Sequence, residues 1–414
     1  MEALLSRAFE RSVKRDRLEV RFASGRVRHF GPERGARVAI GLRDEGAERA
    51  LAFDPALALG ELYMDGRLTL EAGSVYELIA LFKRSARHGA WLGALPQLAR
   101  MAAAWGRKAV SPEASRRNVA HHYDLDERLY RLFLDADMQY SCAYFERPGQ
   151  SLEAAQLAKK RHLAAKLLLS PGQRVLDMGS GWGGLGLYLA DVAGVDVTGI
   201  TLSEPQRARA AARAEQRRLA GHARFLLRDY RQLDGCFDRI VSVGMFEHVG
   251  LRSYPLFFQH CARLLADDGV LLLHSIGRTR PRPVPSPFLE KYIFPGSYIP
   301  ALSEVLPAVE RAGFLVADIE ILTLHYAHTL RAWRERLAER RAAVVAMYDE
   351  RFYRMWEFYL AGSEVGFRMD RMFVFQLQLT RPLNVVPNRR DYVAAKEAEL
   401  RAIERAREAY QALP

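Results

Sequence analysis

Val175-Leu176-Asp177-Met178-Gly179-Ser180-Gly181-Trp182-Gly183-Gly184 reads as a strand end, a carboxylate and a glycine-rich turn that opens a helix near Leu185. Without a Cβ at 179, 181 and 184, the main chain there can touch a nucleotide-like ligand. A dinucleotide site would use the same spacing for pyrophosphate and would want an acid about 20 residues later for the ribose. Here the next strand, Val195-Asp196-Val197-Thr198-Gly199-Ile200, holds its acid internally and runs on into Thr201-Leu202-Ser203. An acid placed before the glycines suits S-adenosylmethionine, whose amino acid end offers an ammonium and no phosphate. The alternative is an ordinary glycine turn, because G-x-G-x-x-G alone is a weak signal.

Strand and helix alternate on either side of this turn. Strands are expected at Arg174–Asp177, Val195–Ile200, Ala223–Arg228, Phe237–Val243 and Gly269–His274, with helices to about Ala190, from Glu204 to about Leu219 and from Tyr254 to Leu265. That repeat predicts a doubly wound parallel α/β sheet, which binds ligands beyond the carboxyl ends of its strands. Two strand ends deliver polar groups there: Gly244-Met245-Phe246-Glu247-His248-Val249-Gly250 and His274-Ser275-Ile276-Gly277. Glu247 and His274 can converge on a cofactor's reactive group. Each also has a structural reading, as a helix-start carboxylate and as a satisfied buried histidine.

At 414 residues the chain is long enough for a main domain and an accessory one, divided here at 1–115 and 116–414. A formal charge of +12 draws it to polyanions, either nucleic acid or anionic lipid. Cys142, Cys236 and Cys261 form no CxxC pair, so neither a disulfide scaffold nor a metal site is expected, and a reducing cytoplasm fits. The N-terminus has no signal-like apolar core, and no run of about 20 apolar residues could span a bilayer.

Residues 1 to about 80 read as a small α+β unit with strands near Leu18–Phe22 and Arg37–Ile40. Residues 81–117 scatter Lys and Arg among Trp91, Leu95, Met101 and Trp105, the pattern of a basic helix lying on a membrane interface, or of a linker helix packed on the catalytic domain. No helix-turn-helix, zinc finger or RNA-binding aromatic signature favours nucleic acid. The proline-rich stretch after Arg278 leads into an insertion placed where a substrate lid would sit, ahead of a final β-pair. The tail from about Tyr392 to Tyr410 reads as a solvated helix.

Taken together, His122-Tyr123-Asp124, Tyr140-Ser141-Cys142-Ala143-Tyr144-Phe145, Val175–Gly184, Thr201-Leu202-Ser203, Gly244–Gly250, His274–Gly277, Phe294-Pro295-Gly296 and Tyr326-Ala327-His328-Thr329-Leu330 resemble the cyclopropane-fatty-acyl-phospholipid synthase family, mycolic acid cyclopropane synthases included. The likeness covers nearly the whole chain. It implies a class I, Rossmann-like methyltransferase with a small N-terminal domain and a helical lid, acting on cis-unsaturated phospholipid acyl chains at an anionic membrane surface. It also implies a cytoplasmic enzyme, peripheral on the inner face of the membrane, with a homodimer suggested by longer relatives.

By this resemblance a bicarbonate is held by Glu247, His274, Tyr326 and the backbones of Cys142 and Ile276. Methyl transfer to an unactivated double bond leaves a carbocation, and a base must take a proton from the new methyl for the ring to close. The cavity must be dry, or water captures the cation. S-adenosylmethionine is expected against Asp177, Gly179, Gly181, Gly244 and His248, with Tyr140 and Ser141 closing over its methionine end. Thr201, Leu202 and Gln206 reach the ribose and Tyr230 flanks the adenine. Ser363 stands where many relatives carry cysteine, so no covalent cysteine role applies there, and Ser180 is a small-for-small change in the glycine loop. Relatives also turn the same cation into methyl-branched, methylene or furan-precursor products, so C-methylation without ring closure is the second reading. A lipid-binding protein that lost its chemistry is the third, opposed by intact Glu247, His274 and Tyr326.

Overall fold

The computed structural model describes residues 1–33, 37–85, 126–281 and 286–411. Its N-terminal elements are α1 (Glu2–Ser12), β1 (Arg17–Arg21), β2 (Val27–Phe30), β3 (Arg37–Leu42), α2 (Glu45–Phe53), α3 (Pro55–Met64), β4 (Leu68–Ala72) and α4 (Val75–Ser85). After these come α5 (Glu127–Phe133), α6 (Leu152–Lys166), β5 (Arg174–Met178), α7 (Gly184–Ala193), β6 (Asp196–Thr201), α8 (Glu204–Gln216), β7 (Ala223–Leu227), β8 (Phe237–Val243), α9 (Tyr254–Leu264) and β9 (Leu265–Arg278). The last part holds α10 (Pro287–Tyr292), α11 (Leu302–Arg311), β10 (Leu315–Leu322), α12 (His325–Glu339), α13 (Arg341–Met347), α14 (Glu350–Met369), β11 (Met372–Thr380) and α15 (Asp391–Gln411). The His122-Tyr123-Asp124 match and most of the basic 81–117 segment lie outside the described residues.

Two compact units divide the chain. The larger comprises Lys108–Pro281, Gly296–Thr329 and Met372–Pro414. Its seven-stranded sheet runs β10-β11-β9-β8-β5-β6-β7. Strands β9, β8, β5, β6 and β7 pair in parallel, and β11 is antiparallel to both its neighbours. A parallel sheet is covered on both faces, so its strands need apolar side chains on each. Along β9, Leu271 and Leu273 point into one cluster with Phe257, Val305 and Phe375, while Leu272 points into the other with Leu163, Leu187 and Val241. The class I methyltransferase architecture is therefore present. The final β-pair differs from expectation in one respect: three helices, α12 to α14, are inserted between β10 and β11.

The smaller unit comprises Met1–Arg107, Arg282–Pro295 and Leu330–Arg371. The linear division expected at residue 115 becomes a discontinuous one, because two late segments group with the N-terminal residues. Its four strands are ordered β2-β1-β3-β4. Tyr63 Oη donates to Glu357 Oε2 at 2.5 Å. At Gly60 an added Cβ would come within 2.3 Å of the Phe288 ring, so glycine there lets Phe288 and Phe358 close on α3. The Gly60–Gly66 stretch is thus a packing feature.

The tail is not the solvated helix expected. On α15, Val393, Leu400 and Glu404 are buried, and Glu404 receives hydrogen bonds from Arg161 Nη2 and Tyr188 Oη, each at 2.7 Å.

Candidate active site

A cavity opens at the carboxyl ends of β5, β6 and β8, lined by the turn after β5, by Thr201, Leu202 and Gln206, by residues 228–231, by Val243–Met245, His248 and Val249, and by the 138–141 loop. All eleven residues proposed to hold the cofactor line it: Tyr140, Ser141, Asp177, Gly179, Gly181, Thr201, Leu202, Gln206, Tyr230, Gly244 and His248. Gly179 takes φ +85° and its N–H donates to the Ile200 carbonyl at 2.9 Å, which folds the turn back over β6. Gly181 takes φ +53° and an added Cβ there would meet nothing within 4 Å, so the backbone faces open space. Thr201 Oγ1 donates to Gln206 Oε1 at 2.8 Å, and Ser203 caps α8 at the Gln206 N–H. Met138, Trp182, Met245, Arg228 and Arg231 also line the cavity and carried no sequence signal of their own.

Asp177 is buried, and its Oδ2 has no hydrogen-bond partner among the described residues. Burial lifts its carboxyl to about 7, against the opposing charge of Lys159. An orphaned acid beside an exposed glycine backbone fits the ammonium and main chain of an amino acid. Aromatic Tyr230 in the same cavity suits a purine. The residues present therefore fit S-adenosylmethionine. Burial lowers His248 to about 4, so that ring is a neutral donor or acceptor at ordinary pH.

Glu247 sits three residues beyond Gly244 in a short 3-10 turn. Its Oε1 accepts from the Ile276 N–H at 2.6 Å, and its Oε2 is buried with no partner among the described residues. Burial raises its carboxyl above the usual range, against the Ile276 hydrogen bond. Of the Ile276 backbone expected beside bicarbonate, the N–H is engaged by Glu247 in this structure. His274 is buried two residues earlier on β9, with Nδ1 3.2 Å from Nε2 of Gln376, its cross-strand partner. Burial and then Lys159 and Lys166 hold it well below its ordinary value, leaving it neutral. The Gly244 N–H donates to the His274 carbonyl at 3.0 Å, which joins this pair to the cofactor cavity.

Cys142 is buried, and burial pushes its thiol far up, so it stays protonated and only its backbone suits a binding role. Beside it, the Ala143 N–H donates to Thr329 Oγ1 at 3.0 Å. Tyr326, half-buried, lies three residues before Thr329 in the first turn of α12. The structure therefore joins Glu247 to Ile276 and the Cys142 loop to the helix of Tyr326.

Two residues of α6 escaped the sequence reading. Gln156 Nε2 donates to the Gln139 and Ser141 carbonyls at 3.2 and 3.0 Å. Lys159, fully buried, donates from Nζ to Gln139 Oε1 and Ser141 Oγ, both at 2.7 Å. Burial lowers its ammonium to about 8, which leaves it charged at neutral pH.

The chain is similar to known proteins over most of its length. Residues 110–377 match the family model described as mycolic acid cyclopropane synthetase, and residues 4–89 match one described as a domain of unknown function. The chain is 39% identical over 338 residues to the cyclopropane-fatty-acyl-phospholipid synthase of Escherichia coli strain K12, covering 79% of this chain and 83% of that protein. It is 38% identical over 271 residues to a probable fatty acid methyltransferase of Pseudomonas putida, covering 64% and 69% respectively. The crystal structure of mycolic acid cyclopropane synthase CmaA1 complexed with SAH and CTAB is similar at a TM-score of 0.61 and 36% identity, over 64% of this chain and 97% of that one.

Proposed function

The chain belongs to the mycolic acid cyclopropane synthetase family of S-adenosylmethionine-dependent methyltransferases, and on that premise we propose that it adds a methylene to the cis double bond of unsaturated phospholipid acyl chains, forming cyclopropane fatty acids. The observation that carries this reading is Glu247: a buried acid with one oxygen on β9 and the other unpartnered among the described residues, just past the cofactor cavity. Bound there, S-adenosylmethionine would supply an electrophilic methyl, and a bicarbonate ion would supply a base. A carboxyl raised by burial keeps its proton longer than usual, so Glu247 can donate to an anion instead of repelling it. Neutral His274 can do the same, and Tyr326 and the Cys142 backbone complete the proposed set. The reading requires a dry chamber around the acyl chain, because water would capture the cation that methylation leaves there.

The same residues serve C-methylation without ring closure, the reading favoured by the relative named a fatty acid methyltransferase. No described helix is long and apolar enough to cross a membrane, and the net charge of +12 suits docking on an anionic phospholipid surface from the cytoplasmic side. The test is incubation with S-adenosylmethionine and cis-unsaturated phospholipid vesicles. A lipid gaining one CH2 with cyclopropane NMR signals supports the proposal, a branched product supports the second reading, and unmodified lipid overturns both.

A further inference from the structure

We propose that Lys159 is a positioning residue for the cofactor, setting the direction of the Ser141 hydroxyl and supplying the positive charge that reads the carboxylate of its methionine end. The proposal rests on the S-adenosylmethionine reading of the cavity.

Lys159 does not line the cavity, but both of its acceptors do. A hydroxyl oxygen that accepts from an ammonium must turn its own hydrogen elsewhere, so Ser141 is left to donate away from Lys159. Gln156, one turn earlier on α6, holds the Ser141 carbonyl and fixes the backbone from the other side. Ser141 stands beside Gly244, where an added Cβ would lie 3.9 Å from the serine Cβ, and both residues line the cavity.

The ligand's own chemistry fixes which of its groups belongs there. Asp177, with its unpartnered Oδ2, is the group for the ammonium. In an α-amino acid the ammonium and carboxylate share one carbon, so the carboxylate cannot lie far from Asp177. Lys159 is the charge that acts on Asp177 from within the protein, and it is buried where water screens it little. The other cations of the cavity wall, Arg228 and Arg231, belong to the stretch that carries Tyr230, and Arg231 is paired with Asp229. One buried acid and one buried ammonium thus divide the zwitterion between them.

The experiment measures the equilibrium affinity of S-adenosylmethionine and of its decarboxylated analogue, by calorimetry, for the full-length protein and for Lys159→Met and Ser141→Ala. In the unsubstituted protein, removing the carboxylate should weaken binding roughly 10- to 100-fold, the worth of a hydrogen bond to a charged group. Lys159→Met should lose a similar factor for S-adenosylmethionine and almost none for the analogue. Equal losses for both ligands, or none for either, would overturn the proposal. If Lys159→Met does not fold, Lys159→Gln, which keeps a donor on α6 without the charge, decides on the same criterion, and Ser141→Ala gives the size of the direct serine contact for comparison. An unsubstituted protein that binds neither ligand refutes the cofactor reading itself.

Discussion

The turn between β5 and α7 shapes the cavity largely with glycine backbone, whereas α6 carries charge behind it, through Lys159, Lys160, Arg161, His162 and Lys166, every one of them buried. Lys160 meets Asp137 at 2.6 Å, Arg161 meets Glu404 at 2.7 Å, and His162 lies between Glu397 at 2.6 Å and Glu320 at 2.7 Å. Lys166 pairs with Glu320 and with Asp318. Burial alone would raise Asp137, but Lys160 and Arg213 bring it down to about 2. A turn of small residues works by leaving space. A helix of buried charges works only while each partner stays, because an uncompensated buried charge is costly.

The largest expected effect separates both regions from a third kind of buried charge, the half-partnered Glu247. Glu247→Gln should lower turnover roughly 100- to 10,000-fold while cofactor affinity and thermal stability hold. Steady-state kinetics beside calorimetry check this, and unchanged turnover removes Glu247 from the chemistry. Next, Glu404→Ala leaves the buried Arg161 with its longer contact to Glu146 at 3.4 Å and should cost about 3–5 kcal/mol of stability in denaturant unfolding. A loss below about 1 kcal/mol, the scale of a surface pair, would mean that water reaches α6 and that the contrast fails.

Gly179→Ala probes the backbone-built region. It forces φ +85° on a residue with a Cβ, which would lie 2.7 Å from Met245 Cβ. Such strain costs about 1–3 kcal/mol, and cofactor affinity should fall with it. Gly181→Ala shares the strain of a positive φ, +53°, but meets nothing in the protein, so the rest of its loss should appear in cofactor affinity.

The smallest effect is in pH. In the free protein Asp177 titrates near 7, above its ordinary value, so the folded chain holds this proton more tightly than the unfolded one does. Its ionisation therefore lowers folding stability as pH rises toward and through 7. A bound ammonium requires the ionised form, so S-adenosylmethionine affinity should climb with pH by up to about tenfold per unit below 7, then level off. Asp177→Asn should bind more weakly and flatten that rise, and an unchanged profile would contradict the assignment.

What could be read in advance follows the same contrast. The glycine turn and the strand-end acids and histidine are local patterns, and each stands where the sequence placed it. Lys159 was illegible because a lysine on a charged helix looks solvated until its partners are known. Its partners Gln139 and Ser141 lie 20 and 18 residues back, and other pairs are more distant still: Arg161 and Glu404 are 243 residues apart, and Tyr63 and Glu357 are 294 apart. For the same reason the discontinuous smaller unit, the docked tail helix and the antiparallel β11 had no local signature. That the Ile276 N–H meets Glu247 was likewise not legible, because a backbone donor's partner cannot be read from its own residue.

The central claim is that the transferred methyl loses one proton beside Glu247 before the ring closes. S-adenosylmethionine carrying a CD3 group, incubated with cis-unsaturated phospholipid vesicles, tests it most directly. The account predicts cyclopropane lipid that has gained CD2, with the third deuterium released to solvent. Lipid that keeps all three deuteriums in a methyl branch, or that takes up no label, would contradict it.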